Sequence, residues 1–208
     1  MTELEFTTQG GEKTMEVTEA PMEVNEALPA YKRYTYADYC TWDDDVRREL
    51  IDGVPYMMSA PNRRHQRILM QLSRLFSNFL VGNPCEVYAA PFDVRLNADS
   101  GDDTVVQPDL LVVCDRAKLD GKACVGAPDL AVEILSLSSV VHDKVIKLRW
   151  YLQAGVREYW IVDPEKNAIS VNILKNNEYV TCDYGGGGSI PVHVLEGCTI
   201  NLPEVFAE

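Results

Sequence analysis

Two short, almost wholly apolar runs at 105–114 and 129–135 constrain this chain most, because each is interrupted by a carboxylate. Runs of this kind are the pattern of central strands covered on both faces. Asp109 stands in the first and Glu133 in the second. An ionised carboxylate inside such a strand is costly to desolvate unless a cation or hydrogen-bond donors meet it. If the two strands are neighbours, the side chains sit about 5 Å apart. Two anions that close call for a positive partner. A hard divalent ion with oxygen ligands answers that need, and it would activate water for phosphodiester hydrolysis. The blander alternative is that each acid ends its strand or pairs with a nearby arginine.

The segments around these strands predict an α/β domain, a mixed β-sheet flanked by helices. Residues 35–47 form a short helix with Thr35 as N-cap. Residues 48–58 alternate around Asp52-Gly53, the signature of a β-hairpin with that pair at its tip. Over 62–81, Ile68, Leu72, Leu75, Phe76, Phe79 and Leu80 recur at helical spacing, with Arg63, Arg64, Arg67, Gln71 and Arg74 opposite. Those arginines are a phosphate-contacting stripe or, more plainly, a solvated helix face. Residues 86–96 read as one strand. A helix over 138–154 presents Val141, Val145, Leu148 and Leu152 to the core and ends at Gly155. Strands over 158–162, 168–174 and 178–183 follow, and the glycines at 185–188 make a loop. Tyr159 and Trp160 are read as core. Pro128-Asp129 is a strand-entry turn, since Asp129 lies about 13 Å along the strand from Glu133, too far to share one ion.

The first 30 residues hold seven Glu and one Lys and read as an acidic, flexible tail, with a short strand near Met15; the domain proper is 31–208. Even without the tail the net charge is negative, within a total of −13. Broad electrostatic capture of nucleic acid is thereby excluded, so contact must use a local basic patch or bound cations. No apolar run approaches the roughly 18–20 residues that span a bilayer, and no secretory signal opens the chain, so a cytoplasmic protein without membrane contact is expected. The six cysteines form no CxxC pair and are read as thiols of a reducing compartment, unpaired and without zinc.

Gln107-Pro108-Asp109 followed by Val132-Glu133-Ile134-Leu135-Ser136 resembles the PD-(D/E)XK nuclease superfamily. More closely, the chain resembles a large bacterial family of restriction-endonuclease-type domains, long described as a domain of unknown function. Its motifs are matched by Glu49 to Gly53, Ser59-Ala60-Pro61 with His65, Ala127 to Ser136, Asp143 with Lys147, and Tyr151 to Pro164. Together they span roughly residues 33–183. The resemblance implies a restriction-endonuclease-like core and a Mg²⁺ or Mn²⁺ ion held by Asp109 and Glu133, with the Ile134 carbonyl as a further ligand. The superfamily's lysine position two residues after the acid is Leu135 here, so the resemblance assigns its role to Lys147 on the next helix, with Lys144 as the alternative. Lys147 would orient the attacking water and stabilise charge on phosphorus; otherwise it is a solvated partner of Asp143. Glu49 matches an early acidic position that binds metal, or is an exposed strand residue beside Arg47 and Arg48. His65 assists at the scissile phosphate or helps cap its helix.

The function these readings imply is metal-dependent endonucleolytic hydrolysis of DNA or another nucleic acid, with a homodimer supplying the two sites that a double-strand cut needs. Two rivals stand beside it: a nuclease-like binding module without turnover, and a hydrolase of small phosphate esters.

Overall fold

The computed structural model describes residues 32–136 and 142–207, except the side chains of 142–144. The N-terminal tail, the strand expected near Met15 and the first turn of the helix expected from Ser138 lie outside the described residues.

The chain enters through α1 (Tyr36–Tyr39), where Thr35 and Asp38 form a reciprocal capping box. This helix is one turn long, shorter than the span expected from the sequence. The hairpin β1 (Arg48–Ile51) and β2 (Val54–Met57) follows as expected, paired Ile51 to Val54. Asp52 and Gly53 both take positive φ, 50° and 70°, as a two-residue hairpin turn demands. A Cβ on Gly53 would lie 2.7 Å from that of Arg33, so the position needs glycine twice over. Helix α2 (Arg63–Leu80) begins where Asn62 accepts the His65 N–H at 2.9 Å, and it buries Ile68, Leu69, Leu72, Phe76 and Leu80.

Two of the expected strands are each divided in two, and the divisions shape the molecule. Residues 86–96 form β3 (Glu86–Ala89) and β4 (Asp93–Arg95), separated by a cis Ala90-Pro91 bond. Residues 105–114 form β5 (Val105–Val106) and β6 (Leu110–Val113), separated at Gln107-Pro108-Asp109. Pro108 has no N–H for a ladder, and the Gln107 N–H goes to the Glu49 carboxylate instead. At both breaks the chain crosses between sheets, and Ala90 N–H to Asp109 C=O, 2.9 Å, ties the crossings together. After β7 (Ala123–Val125) come β8 (Leu130–Ile134), α3 (Leu148–Ala154), β9 (Glu158–Asp163), β10 (Ala168–Lys175) and β11 (Glu178–Gly185). A small pair, β12 (Ser189–Pro191) and β13 (Thr199–Asn201), and α4 (Leu202–Phe206) close the chain. One sheet runs β2-β1-β5-β4-β7 and the other β11-β10-β9-β8-β6-β3. The second is mixed, with β8 and β9 parallel and its other pairs antiparallel.

The six-stranded sheet is covered on both faces, as its apolar strands require. Leu110, Val112, Leu130, Val132, Ile134, Trp160 and Val162 pack with α2 and α4. The alternate residues Leu111, Val113, Ala131, Tyr159 and Ile161 pack with α3 and the five-stranded sheet. Glu133 lies on this second face by the same alternation. Tyr159 and Trp160 are fully buried, as read from the sequence. Asp129 opens β8 by accepting the Cys114 N–H at 2.6 Å and pairing with Arg157, a strand-entry role.

Two sequence readings are corrected. Cys85 and Cys114 are joined as a disulfide, because the antiparallel register that sets Glu86 against Val113 sets these two residues opposite one another one step further on. Cys40, Cys124, Cys182 and Cys198 are free. Thiol titration of the denatured, unreduced protein is therefore expected to count four thiols; six would refute the pairing. The core stripe of the helix preceding Gly155 also differs. Val145 is 62% exposed, while Lys147 and Tyr151 are buried. Residues His142–Lys147 are π-helical, which breaks the 3.6-residue period on which the stripe was counted.

Glu158 gives a pH-dependent prediction. It is fully buried, accepts from Trp160 Nε1 at 2.7 Å and from the Val194 N–H at 2.9 Å, and burial pushes its carboxyl above the usual glutamate range. As pH rises through that ordinary range the unfolded chain ionises first, so the folded state loses ground until Glu158 ionises too. Glu158→Gln keeps an acceptor and carries no charge. Its melting temperature is expected to gain on wild type across that interval and to run parallel above it. Glu158→Ala leaves both donors unpaired and is expected to lose about 1–3 kcal/mol for each. Parallel melting curves of wild type and Glu158→Gln at every pH would refute the shift.

Candidate active site

Strand register brings the two interrupted-strand acids together. Leu110 pairs with Val132 between antiparallel β6 and β8, and one further step sets Asp109 opposite Glu133. Asp109 is held at the sheet crossing by the Ile134 N–H, which reaches its Oδ2 at 2.7 Å. The same oxygen is 3.1 Å from His65 Nε2, on the first turn of α2. The Asp109 side chain is 16% exposed, and no hydrogen bond among the described residues reaches its Oδ1. Asn62 caps α2, so the His65 ring is left to face Asp109 rather than serve as a cap. Its Nδ1 is buried with no partner among the described residues.

Glu49, Glu133 and Lys147 form a second group beside the first. Lys147 Nζ lies 2.8 Å from Glu49 Oε1 and 2.9 Å from Glu133 Oε1. All three side chains are only 3–4% exposed. Glu49 Oε1 also accepts the Gln107 N–H at 2.8 Å, and Glu133 Oε1 the Tyr151 hydroxyl at 2.8 Å. Burial, with the Glu133 carboxylate adding to it, holds the Tyr151 phenol well above its ordinary pKa, so it remains a donor. The exposed-strand alternative for Glu49 is thereby overturned: β1 turns it inward, between the two sheets. The solvated alternative for Lys147 is overturned too, since its ammonium is buried against two carboxylate oxygens; the Asp143 and Lys144 side chains lie outside the described ones.

Both groups open on one cleft of about 270 Å³, lined also by Arg47, Tyr56, Met57 and Ser59. Arg47 reaches Gln107 Oε1 at 3.0 Å. The arginines of α2 do not line it: Arg64 bonds Asn167 and Arg74 bonds Glu204. Tyr151 and Gln107 are site residues to which the sequence reading gave no role. Tyr151 had a signal, its i+4 spacing from Lys147, which stacks both on one helix face. The Gln107 backbone contact had none.

Two carboxylates meet one lysine here and a third, Asp109, lines the same cleft, so the donor set has the oxygen chemistry that suits a hard cation. Among the described residues no three His, Cys, Asp or Glu side chains already converge as a metal cluster. The Lys147 ammonium instead stands between two of the acids, itself a cation where the oxygens want one. The residues therefore fit a divalent ion in chemistry.

Comparison with known proteins agrees with this architecture. A crystal structure at 1.96 Å resolution, described as a putative nuclease belonging to DUF820 from Anabaena variabilis ATCC 29413, superposes with a TM-score of 0.69. It shares 16% identity over 84% of this chain and 98% of its own, a likeness of fold. An uncharacterized protein of Synechocystis sp., slr1290, is 26% identical over 144 residues, 68% of this chain and 73% of that protein. The family model Uma2, described as "Putative restriction endonuclease", matches residues 35–203, and with that span, four-fifths of the sequence, the chain belongs to this restriction-endonuclease-like family.

Proposed function

We propose that this protein is a metal-dependent endonuclease that hydrolyses phosphodiester bonds of DNA or another nucleic acid. The observation that carries the reading is the buried Glu49–Lys147–Glu133 group set beside Asp109 at the mouth of one cleft. Four ionisable groups gathered at a sheet crossing are poor stabilisers of a fold, and such clusters gather where chemistry is done. Asp109, Glu133, Glu49 and the Ile134 carbonyl would hold Mg²⁺ or Mn²⁺, which when bound would neutralise their charge and activate water for attack on phosphorus.

The chain's own side chains supply the remainder. The Lys147 ammonium orients the attacking water and stabilises negative charge that builds on the phosphoryl oxygens. The Ile134 N–H fixes one oxygen of Asp109 and turns the other to the cleft. His65, packed against that same oxygen, keeps the carboxylate from rotating. Tyr151 pins Glu133 from the core side.

The modest cleft of about 270 Å³ favours a second reading, hydrolysis of a small phosphate ester, over a binding module. The deciding assay offers single-stranded, duplex and branched DNA, RNA, and a chromogenic phosphodiester, each with Mg²⁺, Mn²⁺ or EDTA. Cutting of a polymer that needs metal and is lost in Asp109→Ala and Lys147→Ala is the expected result. Turnover of the small ester alone would transfer the site to that chemistry. No turnover by folded protein in Mn²⁺ would overturn both.

A further inference from the structure

We infer that the carboxylate pair Glu49–Glu133 is a single cation seat that Lys147 and a divalent ion occupy in alternation, so that metal binding expels Lys147 toward the substrate. The inference rests on the proposed metal dependence and adds an order of events to it.

The seat is full without metal. Lys147 Nζ is at hydrogen-bond distance from both acids, 2.8 and 2.9 Å, and all three side chains are only 3–4% exposed. A divalent ion drawn to the same oxygens cannot share them with an ammonium, because two cations at one small, dehydrated position repel strongly. One must leave. The metal is the stronger claimant for paired carboxylates, being doubly charged and able to take several oxygens at once. Asp109, opposite Glu133 by the register of β6 and β8, adds a third acid to the same cleft.

Lys147 has a way to leave. It is the last residue of the π-helical stretch His142–Lys147, ahead of regular α-helix from Leu148. π-Helical turns are rare and recur at functional sites. Tightening or loosening that stretch turns the Lys147 side chain without disturbing the buried Tyr151 one turn later. An ammonium released from Glu49 and Glu133 is left in the same cleft, where a phosphate group is its natural partner.

The exchange makes a prediction opposite to that of a lysine that only helps catalysis. With the competing cation removed, Lys147→Met should bind Mn²⁺ alone, measured by titration calorimetry without nucleic acid, at least about tenfold more tightly than wild type. Equal or weaker binding by the folded variant would overturn the exchange. A measurement on the unmodified full chain stands beside it: acetylation of Lys147 by an N-hydroxysuccinimide ester, followed by peptide mass spectrometry. Modification should be slow in EDTA, where the amine is buried, and accelerate several-fold with saturating Mg²⁺. Protection unchanged by metal, in protein that still cuts nucleic acid, overturns the exchange and leaves the nuclease reading standing. Failure of both wild type and variant to bind Mn²⁺ overturns the two together.

Discussion

In metal-free buffer, Lys147→Met is expected to lose about 3–5 kcal/mol of folding stability, the cost of stranding buried charges by removing their partner. Glu49 and Glu133 are only 2% and 3% exposed, and the methionine that fills the ammonium's place offers their carboxylates neither charge nor donor. The Gln107 N–H and the Tyr151 hydroxyl would still donate one hydrogen bond each, which softens the loss without neutralising either charge. Domains of ordinary size carry about 5–15 kcal/mol in total. The melting temperature in EDTA should therefore fall by about 6–20 °C, at roughly 2–4 °C per kcal/mol for a chain of this length. A surface partner of Asp143 would be worth about 0–1 kcal/mol, so the size of the drop separates the two environments. Combining Lys147→Met with Glu49→Gln and Glu133→Gln should return most of the loss, because a neutral group leaves no stranded charge. A single variant that melts within about 3 °C of wild type would show that the lysine is not buried between the acids.

The parts of this architecture that follow from short-range rules could be read from residues alone. The Asp52-Gly53 hairpin and the Asn62-capped α2 are local: one needs two positive φ angles, the other an apolar stripe and an oxygen at the cap. The buried strands β6 and β8 are legible because continuous apolar runs have few other uses. Asp109 and Glu133 stand out for the same reason, as charges where none should be. What escaped depends on which sheet a strand joins. Residues 86–96 alternate without a break, yet β3 and β4 belong to different sheets, and alternation carries no information about the partner. The Cys85–Cys114 bond follows from that partner choice and so was invisible with it. Lys147 was legible as a candidate only through resemblance. Its inward orientation depends on a π-helical stretch, and hydrophobic periodicity predicted Val145 at the core instead. The Gln107 N–H contact with Glu49 joins residues 58 apart in sequence through backbone geometry, which no side-chain pattern encodes.

Asp109→Asn is expected to separate chemistry from stability in the opposite sense to Lys147→Met. The Asp109 Oδ2 accepts the Ile134 N–H at 2.7 Å, and an asparagine oxygen of the same size and position can keep that bond. Its side chain, unlike those of Glu49 and Glu133, reaches solvent at the cleft mouth, so losing its charge leaves no buried counterion unpaired. Folding stability should change by less than about 1 kcal/mol. The cleft oxygen, however, becomes an amide nitrogen, which repels a cation that the carboxylate would attract. Cleavage should fall by at least about 10²–10³-fold, the scale of losing one preorganised electrostatic group. Asp109→Ala would confuse the two effects, since it also strands the Ile134 N–H at about 1–3 kcal/mol. The decisive comparison is the rate of Mg²⁺-dependent cutting by Asp109→Asn against its melting temperature. Near-native melting with activity lost places Asp109 in the chemistry, and a near-wild-type rate would remove it from the site altogether.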